Sequence, residues 1–210
     1  MGAVSARVRR RMSGLGRLIA FRGQVVLSVA ATLLLVLIAV FSRSPARAET
    51  RTDPPWPAPG PAQVALGARA AGLPMLAIPG QVVRFAVHLD VLVDGKRVTV
   101  PAGIGIDTPG HRVAPLYTAD TSGTIHVASD SDQDVFTLGQ FFAEWQVALA
   151  ADRLGGLRIS PGDPLVTYVD GSRVGGNPDS VLLTPHLEIA VTYRRGALPV
   201  PDSYAFPAGT

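Results

Sequence analysis

From Arg84 to Asp94 the chain alternates. Phe85, Val87, Leu89, Val91 and Val93 take the odd positions; Arg84, Ala86, His88, Asp90, Leu92 and Asp94 take the even ones. A period of two predicts a strand with its odd side chains on a core and its even ones turned away. Asp94-Gly95 follows, the pair preferred in a two-residue type I′ hairpin turn. The turn sets a register in which Val93 meets Lys96, Val91 meets Val98 and Leu89 meets Val100, so apolar residues face apolar ones. The phrase "VDGKRV" at 93–98 returns as "VDGSRV" at 169–174 and predicts a second hairpin. The flanks of the two phrases differ, which argues for two similar turns and against a duplicated domain. A last strand is predicted in "HLEIAVTY", with Leu187, Ile189, Val191 and Tyr193 inward and His186, Glu188, Ala190 and Thr192 outward.

Between the hairpins the period changes. In "FTLGQFFAEWQVAL", Leu138, Phe141, Phe142 and Trp145 fall at i, i+3, i+4 and i+7, one face of a helix. Thr137 and Gln140 stand at the N-cap and N3 positions of a capping box. Glu144 falls on the other face and is expected to be exposed. "AQVALGARAAGL" predicts a shorter helix, weakened by Gly67. The order hairpin, insertion at 103–134, helix, hairpin, strand predicts an α+β domain: a mixed sheet with one packed helix.

The N-terminal part follows other rules. Val25–Phe41 is an uncharged run of 17 residues, about 25 Å as a helix at 1.5 Å per residue, near the hydrocarbon thickness of a bilayer. Residues 1–22 hold six Arg and no acid, whereas the remainder holds 13 Lys and Arg against 16 Asp and Glu. The basic sequence pI of 9.8 therefore belongs to the N-terminus. This asymmetry predicts an N-terminus in the cytoplasm and a domain outside the plasma membrane. The expected layout is a cytoplasmic Arg-rich tail (1–24), a transmembrane signal anchor (25–41), a Pro-rich linker (42–80) and an extracytoplasmic domain (81–210). Ala46-Arg47-Ala48 offers an alternative, cleavage before Glu49. "PPWPAPGP" in the linker predicts a semi-rigid stalk. In the C-terminal "PDSYAFPAG", Tyr204 and Phe206 are candidates to pin the tail to the domain.

The segments "FTLGQFFAEW", "LVTYVDGSRVGG" and "SVLLTPHLEIAVTY" resemble the helix-to-end portion of sulfur-carrier proteins of the β-grasp (ubiquitin-like) class. That resemblance covers about 60 residues and implies a β-grasp-like sheet whose first and last strands pair in parallel. The carriers end in Gly-Gly, whereas this chain ends "FPAGT", so their chemistry does not transfer. A second resemblance, carried by "HLDVLVDGKRVTVPAGIGID", "PLYTADTSGTIHVAS", "FTLGQFF" and "YAFPAG", is to a family of membrane-anchored exported proteins of high-GC bacteria, over most of 85–208. Relatives carry an "LHTHD"-like stretch where this chain has "LYTAD". Tyr117 and Ala119 depart from it, which puts any metal function of that stretch in question.

Candidate chemistry is sparse. The chain has no Cys, which removes disulfides and thiolates. No basic patch suits nucleic acid. Phosphate-loop, G-x-S-x-G and H-E-x-x-H motifs are missing, and "GIGID" lacks the third glycine of a dinucleotide fingerprint. No enzyme is predicted. Asp130, Asp132 and Asp134 in "DSDQD" lack the Gly and Glu of a calcium loop and read as an acidic turn before a helix. His88 and His186 lie on outward positions of strands expected to be neighbours, with Asp90 and Glu188 beside them. His126 in "TIHVAS" is brought over them if the insertion folds across the sheet. These five residues are the candidate ligands for Zn²⁺ or Cu²⁺; the bland alternative is a solvated sheet face. His111 reads as loop. The expected function is a membrane-anchored binding module for an envelope partner, with metal handling as the alternative.

Overall fold

A computed structural model describes residues 52–162, 164–194 and 203–206. The Arg-rich tail, the apolar run at 25–41 and the linker up to Arg51 lie outside these residues. Among the described residues no helix is long and apolar enough to cross a membrane. Among the described residues the fold is α+β, with a mixed sheet and two α-helices. In chain order the elements are α1 (Pro61–Ala70), β1 (Val83–Val93), β2 (Lys96–Val98), β3 (Ile106–Asp107), β4 (Arg112–Val113), β5 (Leu116–Tyr117), β6 (Thr124–Ser129), α2 (Leu138–Trp145), β7 (Leu149–Ala150), β8 (Arg153–Leu154), β9 (Leu157–Arg158), β10 (Leu165–Val169), β11 (Ser172–Val174) and β12 (Glu188–Tyr193).

The main sheet has seven strands in the order β11-β10-β12-β1-β6-β5, with β2 paired to β1. Both hairpins form. Asp94 and Gly95 have φ of 52° and 73°, and Asp170 and Gly171 have 48° and 71°, as a type I′ turn requires. The first ladder joins Val93 to Lys96 and Val91 to Val98, and ends there, before Leu89 and Val100. β1 runs parallel to β12 from His88↔Glu188 to Val93↔Tyr193. β6 runs antiparallel to the first half of β1, from Val83↔Ser129 to His88↔Thr124. The insertion therefore extends the sheet sideways with β6 and β5, and His126 lies within the sheet instead of crossing over it.

One sheet face carries the core. Val87, Leu89, Val91, Val93, Ile125, Ile189, Val191 and Tyr193 form one cluster with Leu138, Phe141, Phe142 and Trp145 of α2. Thr137 caps α2: its Oγ1 accepts from Gln140 N at 3.3 Å, and its own N–H donates to Gln140 Oε1 at 3.0 Å.

Two expectations fail for one reason. The Pro-rich stretch is not a free stalk from Trp56 onward, because the Trp56 side chain is 1% exposed. It meets Trp145 edge-on at 5.9 Å, and its carbonyl accepts from Trp145 Nε1 at 3.2 Å. Nor is Glu144 exposed; it is 1% accessible. Helix α1 packs on α2, and the missing Cβ of Gly67 lets it do so, since a methyl there would lie 2.6 Å from the Glu144 carbonyl oxygen. A helix facing the sheet on one side and a second helix on another has little polar face left.

The Glu144 carboxyl oxygens have no hydrogen-bond partner, and burial pushes the group's pKa well above the ordinary carboxylate range. The folded protein then holds a proton that the unfolded chain releases near pH 4.3. Stability contributed by the neutral form is lost as pH rises from that value towards the folded pKa. Chemical denaturation across pH 4–9 is expected to show wild-type stability declining over this window, and Glu144→Gln removing part of the decline. Parallel curves would mean that Glu144 is not buried in its neutral form. Trp145→Ala is expected to cost about 3–5 kcal/mol, the loss typical of a large buried aromatic side chain. A loss under about 1 kcal/mol would contradict its place in the core.

Candidate functional site

The other sheet face is assembled from even-numbered residues of β1 and their neighbours. Parallel register sets Glu188 directly beside His88, and Asp90 follows two residues along β1 on the same side. Arg97 on β2 pairs with Leu92 and shares that face. On the opposite edge of β1, Thr124 sits beside His88. Such a face is solvated by default, yet here it is not: His88 is 5% exposed, and Asp90 and Glu188 are equally buried.

The cover comes from two places. The loop before β6 presses its backbone against the imidazole. Gly123 makes this approach feasible; its φ is +89°, and a Cβ there would lie 2.5 Å from the Leu89 carbonyl oxygen and 3.1 Å from His88 Nε2. The Asp120 side chain shapes the loop by accepting from Ser122 N at 2.8 Å, and this hydrogen bonding to Ser122 holds the Asp120 pKa below its usual value. From above, the Tyr204 ring stacks on His88 at 3.8 Å and 9°. Its hydroxyl lies 3.1 Å from Thr124 Oγ1.

The polar contacts of the cluster are directional. His88 Nδ1 lies 3.0 Å from both carboxylate oxygens of Glu188 and 3.9 Å from Asp90 Oδ2. His88 Nε2 lies 2.8 Å from the Ser122 carbonyl oxygen. A carbonyl only accepts, so Nε2 carries a hydrogen. Asp90 Oδ1 pairs with Arg97, while Asp90 Oδ2 is buried without a hydrogen-bond partner. Glu188 is steadied through its backbone: its N–H donates to Asp170 Oδ1 at 3.0 Å, and its carbonyl accepts from Asp170 N at 2.9 Å. The second hairpin turn thus serves the site as well as the sheet.

Residue types here match a Ser-His-carboxylate triad, but the geometry does not. Nε2 faces the Ser122 carbonyl, and the Ser122 hydroxyl donates to Thr124 Oγ1 at 2.8 Å. No hydroxyl is therefore held by the base.

Of the five expected ligands, the fold brings three together. His88, Asp90 and Glu188 each offer a donor atom within 4.8 Å of the others'. His186 falls short because β12 starts at Glu188. It lies in the preceding turn with φ of 60°, exposed, with the Phe206 ring at 5.0 Å. His126 shares the face but pairs with Ala86, two residues along β1 from His88, and stacks on Tyr117 at 5.0 Å. Burial lowers its pKa, opposed by the nearby Asp120. His111 lies in an exposed turn, as expected. Asp130 accepts from Gln81 N, ahead of β1, and Asp134 accepts from Ser129 Oγ within its own loop. Sequence reasoning missed Arg97, Ser122, Thr124 and Asp170; only the repeated turn and "TADTSGT", with its Asp, Ser and Gly, marked the last three as tight backbone.

No protein-family model, curated protein or solved structure matches the chain.

Breaking a buried, hydrogen-bonded charge pair from one side costs about 3–5 kcal/mol. Glu188→Ala and His88→Ala are each expected in that range, and the double variant is expected to lose less than the sum, with a coupling of about 0.5–3 kcal/mol. Additive losses in chemical denaturation would show that the two side chains do not act as a pair.

Proposed function

We propose that the chain is a single-pass, membrane-anchored extracytoplasmic binding module with a β-grasp-like domain, taking its ligand on the sheet face away from the helices. One observation carries this reading. His88, Asp90 and Glu188 form a buried polar cluster outside the hydrophobic core, and the short segment Ser203–Phe206, not a helix or strand, closes it from above. A cluster needed only for folding would be better replaced by packed apolar side chains. Displacing Tyr204 uncovers an imidazole set beside two buried carboxylates, next to the already exposed Arg97 side chain.

The strand order supports the β-grasp reading. The two hairpins flank the paired first and last strands, giving β2-β1-β12-β10-β11 within the larger sheet, with α2 on one face. The membrane reading rests on the uncharged run at 25–41 behind six arginines. An envelope component is the ligand source consistent with that placement.

Two measurements test these readings. A reporter active only in the cytoplasm, fused after Thr210, is expected to stay silent; a strong signal would overturn the topology. In the full chain, Tyr204→Ala/Phe206→Ala is expected to raise the reactivity of His88 towards diethyl pyrocarbonate several-fold with little change in Tm. Equal protection of His88 in the variant and the wild type would refute this face as the ligand face.

A further inference from the structure

We infer that the cluster under Tyr204 binds one divalent first-row transition-metal ion, of the Zn²⁺ and Cu²⁺ class, through His88 Nδ1, an Asp90 oxygen and a Glu188 oxygen. The inference names the ligand class of the module proposed above and rests on that reading.

Geometry is the first argument. Nitrogen and oxygen donors sit about 2.0–2.2 Å from a zinc ion, so donors around one ion lie roughly 3–3.6 Å apart. The separations from Nδ1 are 3.0 Å to Glu188 and 3.9 Å to Asp90, and the three donors lie within 4.8 Å of one another, so ligation draws the carboxylates slightly inward.

The second argument is the unused valence of Asp90. Its Oδ1 is taken by Arg97, but Oδ2 is buried and unpartnered on the side of His88. A buried carboxylate oxygen without a donor is costly; a cation between Oδ2, Nδ1 and Glu188 would satisfy it.

The third argument is the orientation of the ring. A histidine that binds metal through one nitrogen usually donates its other N–H to a carbonyl or carboxylate, which fixes the tautomer. His88 Nε2 faces the Ser122 carbonyl at 2.8 Å, which turns Nδ1 towards both carboxylates. The donor set agrees: two carboxylates face one guanidinium, that of Arg97, across the cluster. One imidazole and two carboxylates suit zinc or copper better than the all-oxygen shells of Mg²⁺ or Ca²⁺. Three protein ligands leave at least one coordination position for a further ligand.

The test is titration of the purified full chain in detergent with Zn²⁺ and, separately, Cu²⁺, followed by calorimetry. One ion per chain is expected. Asp90→Asn, which keeps the shape of the side chain, is expected to weaken binding at least tenfold, whereas His111→Ala, His126→Ala and His186→Ala leave it unchanged. Copper-loaded wild type, which does not depend on any variant folding, is expected to show a paramagnetic resonance signal coupled to one imidazole nitrogen. No stoichiometric uptake, coupling to two or more imidazoles, or loss of binding on His126→Ala or His186→Ala would overturn the inference. If Tyr204→Ala/Phe206→Ala uncovers His88 and neither ion binds, the metal assignment falls while the binding face stands. If His88 stays protected in that variant and no ion binds, both readings fall.

Discussion

The parallel pairing of β1 with β12 is the constraint on which the rest depends. It joins segments 100 residues apart and sets His88 beside Glu188. The same register puts Leu89, Val91 and Val93 beside Ile189, Val191 and Tyr193 on the opposite face, where α2 buries them. Because side chains alternate across a strand, one pairing builds the core and the polar cluster together. A slip of either strand by one residue would send its own polar residue, His88 or Glu188, into the aromatic core and its apolar residues into the cluster. Core and cluster therefore support each other's register.

The two faces are buried by different means. The core face is closed by regular structure: α2 lies on it, and α1 with Trp56 lies on α2. Burial there is deep enough to hold Glu144 without a hydrogen-bond partner. The polar face is closed by a glycine-bearing loop and an aromatic side chain from the C-terminal segment, and its groups bond to one another and to backbone. Stacking between Tyr204 and His88 is worth on the order of 1 kcal/mol, small beside the apolar burial across the core. The polar face is accordingly the one that can open at little cost to the fold.

Much of this was legible in the chain. Both hairpin turns follow from Asp-Gly, which accepts the positive φ of a type I′ turn. The helix and its buried aromatic face follow from the 3.6 period and the Thr137–Gln140 box. Parallel pairing of the first and last strands follows from the order of elements once the β-grasp pattern is taken as a guide. The failures share one cause. His186 was placed on β12 by alternation, but alternation does not locate the end of a ladder, and the turn before Leu187 needs a left-handed residue there. Glu144 was misplaced because a period reports which residues share a face and is silent on whether a second helix covers it, and Trp56 because proline content reports a stiff segment and is silent on what that segment packs against.

What the sequence by itself determined is local: turns, caps, faces, and the charge asymmetry around the apolar run at 25–41. Each depends on contacts within a few residues, so the chain carries them wherever it folds. The site was decided by tertiary structure. His88 has Glu188, Ser122 and Tyr204 as partners, each more than 30 positions away. The period-two pattern allowed His88 only two fates, core or solvent. A third became available when a loop and the C-terminal segment, neither showing any periodicity, closed over the sheet and removed water from a face whose pattern marks it as wet.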